Sequence, residues 1–187
     1  MRSGLKSLGG ARCIDLNAIL IGFMGCGKTT TGRILSSMLK WRFIDTDDLV
    51  VRKTGMSIPE IFEKFGEGHF RRIESQVIRD ISKVDRCVIS LGGGAVLNED
   101  NIGCLKKNGA VFYLMGSPET IMAHIGNSKE RPLLNTSNPY ETVKELLSKR
   151  HHLYEKNCDF CISIDGKDSK IVAEEIRRTL VKVERRK

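Results

Sequence analysis

The chain has 187 residues, with 40% hydrophobic and 29% charged side chains, which suits one domain with a real hydrophobic core. No apolar stretch approaches the length needed to cross a bilayer, and Met1–Leu16 lacks the apolar centre of a secretory signal. The formal charge of +8 sits mostly at the ends: Arg2, Lys6 and Arg12 against Asp15, and Arg177, Arg178, Lys182, Arg185, Arg186 and Lys187 against Glu184, so no broad basic face is expected on the body.

Residues 1–16 are read as a short, basic, flexible tail, with a processed organelle leader as the alternative. The folded domain is expected over 17–183, and 184–187 form a second basic tail. Five apolar runs read as strands: Ala18–Ile21, Arg42–Ile44, Cys87–Leu91, Ala110–Leu114 and Phe160–Ile164. Their hydrophobicity is continuous rather than alternating, which points to strands covered on both faces. Helices are expected at about 28–40, 57–65, 67–83, 98–108, 117–125, 138–155 and 169–183. Ser57 and Glu60 have capping-box spacing, and Ser117-Pro118 places proline at the first helical position. Strand–helix alternation of this kind predicts an α/β fold, a parallel sheet wrapped by helices, with ligands beyond the carboxyl ends of the strands.

The first strand runs into Gly22-Phe23-Met24-Gly25-Cys26-Gly27-Lys28-Thr29, a complete G-x-x-x-x-G-K-[ST] sequence followed by an amphipathic helix. Glycines let the backbone turn several N–H groups toward an anion, and the helix N-terminus adds its own unpaired donors. Gly25, Cys26, Gly27, Lys28, Thr29 and Thr30 are therefore the expected nucleotide contacts, with Lys28 on the β- and γ-phosphates and Thr29 holding Mg²⁺.

Asp45-Thr46-Asp47-Asp48 follows the second strand, and Gly92-Gly93-Gly94 the third; both are expected to face the same crevice as the phosphate loop. Asp45 and Asp47, two apart at a strand end, have two readings. One carboxylate serves a Mg²⁺ shell and the other accepts from a substrate hydroxyl, or the cluster caps the following helix. Arg71 has Glu74 one helical turn away, which can orient its guanidinium; a solvated helix face is the alternative, as it is for Arg150. Gly126–Asn138 has no apolar periodicity, is long for a loop between helices and is expected to be a lid carrying Arg131.

The remaining cysteines and histidines give structural readings. Six cysteines without a framework spacing point to a reducing compartment. Cys158 and Cys161 form C-x-x-C, but the second lies on an expected strand, where residues three apart face opposite ways. His151 and His152 diverge on a helix and do not chelate together. Cys26, at a helix N-terminus, has two readings: a tolerated small residue, or a reactive thiol that bound nucleotide protects from alkylation.

Taken together, Gly22–Thr29, Phe43-Ile44-Asp45-Thr46-Asp47, Phe70-Arg71-Arg72-Ile73-Glu74, Ser90-Leu91-Gly92-Gly93-Gly94, Arg131-Pro132-Leu133-Leu134, and Arg150 with Leu153-Tyr154 closely resemble the shikimate kinases, over about residues 17–180. The resemblance implies a P-loop kinase fold, with a five-stranded parallel sheet, flanking helices and a lid segment. It implies phosphorylation of the 3-hydroxyl of shikimate with ATP and Mg²⁺, in the route to chorismate and the aromatic amino acids. Arg71 and Arg150 would grip the shikimate carboxylate, with Gly92, Gly93 and Gly94 beside it and a Gly93 backbone N–H assisting. Asp47 would orient the attacking hydroxyl. Thr29 and Asp45 would belong to the magnesium shell, and Lys28 and Arg131 would offset charge on the phosphoryl group. The adenine loop would correspond to the segment near Asp165–Lys170. The implied protein is a cytoplasmic monomer acting on small molecules, without nucleic-acid or membrane partners. In two places the chain departs from the family pattern: His124 stands where many members have an arginine, and Cys26 where alanine or serine is common. A gluconate-type kinase, a nucleotide-binding protein without catalysis and a nucleic-acid-dependent ATPase are the rival classes.

Overall fold

The computed structural model describes residues 16–126 and 138–184. Five strands form one parallel sheet: β1 (Asn17–Ile21), β2 (Arg42–Asp45), β3 (Cys87–Ser90), β4 (Gly109–Met115) and β5 (Phe160–Ser163), in the spatial order β2-β3-β1-β4-β5. Ala18 lies beside Val88 on one side and Ala110 on the other, and Leu20 beside Ser90 and Phe112. The chain leaves β1 toward the β2–β3 side and leaves β3 toward β4. The connections therefore diverge between β1 and β3, where a crevice opens at the strand ends.

The three central strands β1, β3 and β4 are buried on both faces, which is why they read as nearly unbroken apolar runs, whereas the edge strands β2 and β5 are partly exposed. Ile19, Ile21, Ile89, Val111 and Tyr113 point to one face, with Ile78, Ile102 and Tyr154. Ala18, Leu20, Val88, Phe112 and Leu114 point to the other, with Leu35, Ile176 and Leu180. The covering helices are α1 (Lys28–Leu39), α2 (Thr46–Thr54), α3 (Ile58–Ile81), α4 (Glu99–Lys106), α5 (Pro118–Ile125), α6 (Pro139–Asn157) and α7 (Ser169–Glu184). Buried Asn17 stitches the start of the sheet: its Nδ2 donates to Val84 O at 2.6 Å, and its Oδ1 accepts from Cys87 N at 2.9 Å.

All five strands fall within a residue or two of their expected ranges. Ser57 caps α3, with both halves of the capping box made. The two helices expected at 57–65 and 67–83 are one run broken at Gly66, whose φ of 77° and ψ of 168° are not helical. Helix α2 at 46–54 is the one that the capping reading of the acidic cluster requires, although no apolar periodicity marks it. Its β-branched Val50 and Val51 favour helix only weakly. Capping and packing supply what propensity lacks. Asp45 Oδ1 accepts from Asp47 N at 3.0 Å, and Gly55 closes the far end at φ 69°. Val50 is fully buried with Ile61, Phe70 and Val77. A single 3-10 turn, Ala95–Leu97, also lies outside the expected elements.

Candidate active site

Three loops at strand ends converge on a cleft of about 380 Å³, lined among others by Met24, Lys28, Asp45, Asp47, Gly93 and His124. The phosphate loop leaves β1 at Gly22, where a Cβ would lie 2.7 Å from Leu114 O. It enters α1 through Gly27, a left-handed N-cap at φ 82°. The N-terminal amides of α1 are thereby turned outward into the cleft. Lys28 is nearly buried, and its ammonium donates to Gly22 O and Phe23 O, both at 2.9 Å. Thr29 and Thr30 follow at the exposed rim.

Asp45 makes the helix cap that was one of its two readings, and its second oxygen is turned to the phosphate loop. Its Oδ1 caps α2, while its Oδ2 accepts from Thr29 Oγ1 at 2.8 Å. A hydroxyl and a carboxylate oxygen side by side next to a phosphate loop are the hard donors Mg²⁺ takes, with substrate phosphates and water completing the shell. Among the described residues no group of three or more His, Cys, Asp and Glu could hold a metal ion.

Asp47 reaches the glycine loop. A Cβ on Gly92 would lie 2.7 Å from Asp47 Oδ1 and 2.6 Å from Glu74 Oε1, so both carboxylates rest on the bare Gly92 backbone. Glu74 is fully buried, with Oε2 accepting from Arg71 at 2.7 Å and Oε1 without a hydrogen-bond partner among the described residues. Burial pushes its carboxyl above the ordinary carboxylate range, against the pull of Arg71, and nearby Asp47 adds to the rise. Glu67 holds the other side of the Arg71 guanidinium, through contacts of 3.2 and 2.9 Å. Arg71 is thus clamped in one orientation and lies directly on Gly94, where any Cβ would collide with its guanidinium.

Arg150 is nearly buried on α6, with Cζ 6.0 Å from the centre of the Phe23 ring. Tyr154 lies one turn later on the same helix, close enough to feel the Arg150 charge, and its Oη donates to Gly93 O at 2.6 Å. Arg71 and Arg150 therefore both adjoin the triple-glycine loop, one through Gly94 and one through Tyr154 and Gly93. Three residues of the expected segments gain a part that was not given to them individually: Thr46, whose Oγ1 accepts from Gly92 N at 2.9 Å, and Met24 and Ser169 in the cleft lining.

His124 turns inward to the phosphate loop, with Nδ1 3.0 Å from Gly25 O. The carbonyl can only accept, so Nδ1 carries the hydrogen. The Cys26 side chain is 1% exposed and packs beneath Gly22. That burial corrects the expectation of a thiol open to alkylating reagents: the sulfur lies inside the loop rather than on the cleft wall. Cys158 and Cys161 are free, and burial raises both thiols. Cys158 donates to Glu155 O and Cys161 lies against Met115, as separate structural positions. Arg131 and nearly all of the expected lid fall outside the described residues, as do most of the two tails.

Comparison with known proteins agrees with this geometry. The shikimate kinase family model matches residues 24–181. A shikimate kinase of Thermodesulfovibrio yellowstonii is 47% identical over 160 residues, 86% of this chain and 92% of the relative. One from Caldanaerobacter subterraneus subsp. tengcongensis is 43% identical over 170 residues, 91% of this chain and 99% of the relative. The solved structure of shikimate kinase from Acinetobacter baumannii in complex with shikimate superposes with a TM-score of 0.86 at 36% identity, covering 89% of this chain and 93% of that one. With the phosphate loop, the aspartates and the clamped Arg71 gathered around one crevice, and matches of this extent, the chain belongs to the shikimate kinase family.

Proposed function

We propose that this cleft transfers the γ-phosphoryl group of ATP to the 3-hydroxyl of shikimate, giving shikimate 3-phosphate for aromatic amino-acid biosynthesis. The observation that carries this reading is the position of Asp47: it lines the phosphate-loop cleft while its carboxylate rests on Gly92, next to the Arg71–Glu74 clamp. A hydroxyl held by Asp47 and a carboxylate held by the arginines would then place one ring between the two sites.

The roles follow from the chemistry. Gly25, Cys26, Gly27, Lys28, Thr29 and Thr30 would cradle the nucleotide phosphates, and Lys28 would leave its loop carbonyls for the phosphoryl oxygens. Arg71, Arg150 and Gly92–Gly94 would bind the carboxylate, a task for which planar guanidinium forks are suited. Asp47 would orient the attacking hydroxyl. Phosphoryl transfer depends mainly on positioning and electrostatics, so no strong base is required there. Thr29 and Asp45 would hold Mg²⁺, which when bound neutralises charge on the phosphates. Arg131 would add a cation from the lid. The protein acts as a monomer in the cytoplasm in this reading, without nucleic-acid or membrane partners. Among the described residues no helix is long and apolar enough to cross a membrane.

The test is an ADP-release assay with shikimate, quinate and gluconate, each with and without Mg²⁺. Magnesium-dependent turnover with shikimate is expected. Turnover with gluconate alone, or none with any acid, would overturn the reading.

A further inference from the structure

Gly92-Gly93-Gly94-Ala95 is a β-turn: Ala95 N donates to Gly92 O at 3.0 Å, and Gly94 at φ −100° and ψ 0° has the third-position geometry of a type I turn. Type I and type II turns differ by a half-rotation of the central peptide, here Gly93–Gly94. Type II needs a positive φ at the third position, which glycine supplies freely. A glycine pair at the turn centre therefore leaves the peptide no steric reason to choose. The choice has chemical weight, because across a planar trans peptide the carbonyl and the next N–H point opposite ways. In one state the loop offers an anion the Gly94 N–H; in the other it offers the Gly93 carbonyl oxygen, which repels it.

One side chain bonds to that carbonyl from the protein interior. Tyr154 Oη donates to Gly93 O at 2.6 Å. The ring is fully buried and stacks on Tyr113 with centroids 5.0 Å apart, so the hydroxyl cannot swing away. Burial raises the phenol's pKa, which keeps the hydrogen in place to donate. Arg150 lies one helical turn before Tyr154, so the contact to the loop peptide and a guanidinium proposed for the acid site share one stretch of α6.

We infer that Tyr154 is a positioning residue that locks the Gly93–Gly94 peptide in the type I direction, holding the Gly93 carbonyl toward the core and the Gly94 N–H toward the substrate's carboxylate. The inference deepens the proposed function and rests on it for the identity of the acid.

Tyr154→Phe keeps the stacked ring and removes only the hydroxyl. The KM for shikimate should rise about three- to tenfold, the range of one lost hydrogen bond, while the KM for ATP stays within about twofold. The methyl ester of shikimate, which lacks the negative charge, should show no such rise. An unchanged shikimate KM, or an equal rise for acid and ester, would overturn the lock. A second readout needs no substrate. The three-bond HN–Hα coupling of Gly94 reports φ, and it should shift in the variant as positive-φ conformers are populated; a coupling identical to the wild type would also overturn it. A shifted coupling in a protein that does not phosphorylate shikimate would leave the lock standing and remove the functional reading instead.

Discussion

The Thr29 hydroxyl donates to Asp45 across 2.8 Å, joining the first turn of α1 to the end of β2. Nucleotide-side and acceptor-side elements thus share a contact, made between the two oxygens assigned to magnesium. Asp45→Asn keeps an oxygen for the α2 cap but removes the charge. The magnesium concentration for half-maximal turnover should rise about tenfold, the size of one lost charge-assisted contact. A magnesium titration coinciding with wild type would remove Asp45 from the metal shell.

Arg71→Ala strips the clamp and leaves Glu74 buried without its cation. The KM for shikimate should rise about a hundredfold, the cost of truncating one partner of a buried charged pair. ATP binding, measured by calorimetry, should change little. A defect confined to ATP would show that the arginine serves the nucleotide.

Lys28→Ala removes the cation held by Gly22 O and Phe23 O. The kcat should fall about a hundred- to a thousandfold, the loss expected for one electrostatic stabiliser of the transferring group. Near-native turnover would contradict its role.

Glu74 predicts a pH dependence of stability. Burial holds its folded pKa above the unfolded value, so its contribution is complete below the unfolded pKa and is lost as pH rises through the folded one. Arg71 opposes this rise, and Glu67 and Asp47 add to it. Glu74→Gln does not titrate. Urea unfolding from about pH 4 to about pH 8 should show wild-type stability falling relative to the variant as pH increases. A relative increase would mean that the ion pair with Arg71 outweighs burial.

Asn17→Ala tests the seam between β1 and β3. It leaves the buried Cys87 N–H without the acceptor that Asn17 now provides and should cost about 2–3 kcal/mol in chemical denaturation. A change below about 0.5 kcal/mol would show that the strand ends relax to other partners.

The phosphate loop was legible because its chemistry is local: every residue it needs lies within eight consecutive positions ending in Thr29. The central strands were legible because burial on both faces leaves them almost entirely apolar. Helix α2 was not, since its stability comes from Asp45 at one end and from Val50 packing on distant Ile61 and Phe70. Glu74 could be read as the orienter of Arg71 from spacing alone. That it also rests on Gly92 beside Asp47 depends on a crossover between strands that no local pattern reports. The inward turn of Cys26 was equally hidden, because the loop's conformation decides it rather than the residues beside it.

The strand order also dictates how the molecule must be assembled. β1 and β2 are made first but do not pair with each other; β2 pairs only with β3, and β1 only with β3 and β4. A chain emerging from the ribosome therefore carries the apolar β1 and the shorter, partly charged β2 without their shared partner strand until residues near 90 appear. Through that interval its most hydrophobic segment lies open to neighbours, and release of the third strand is the step that closes the window.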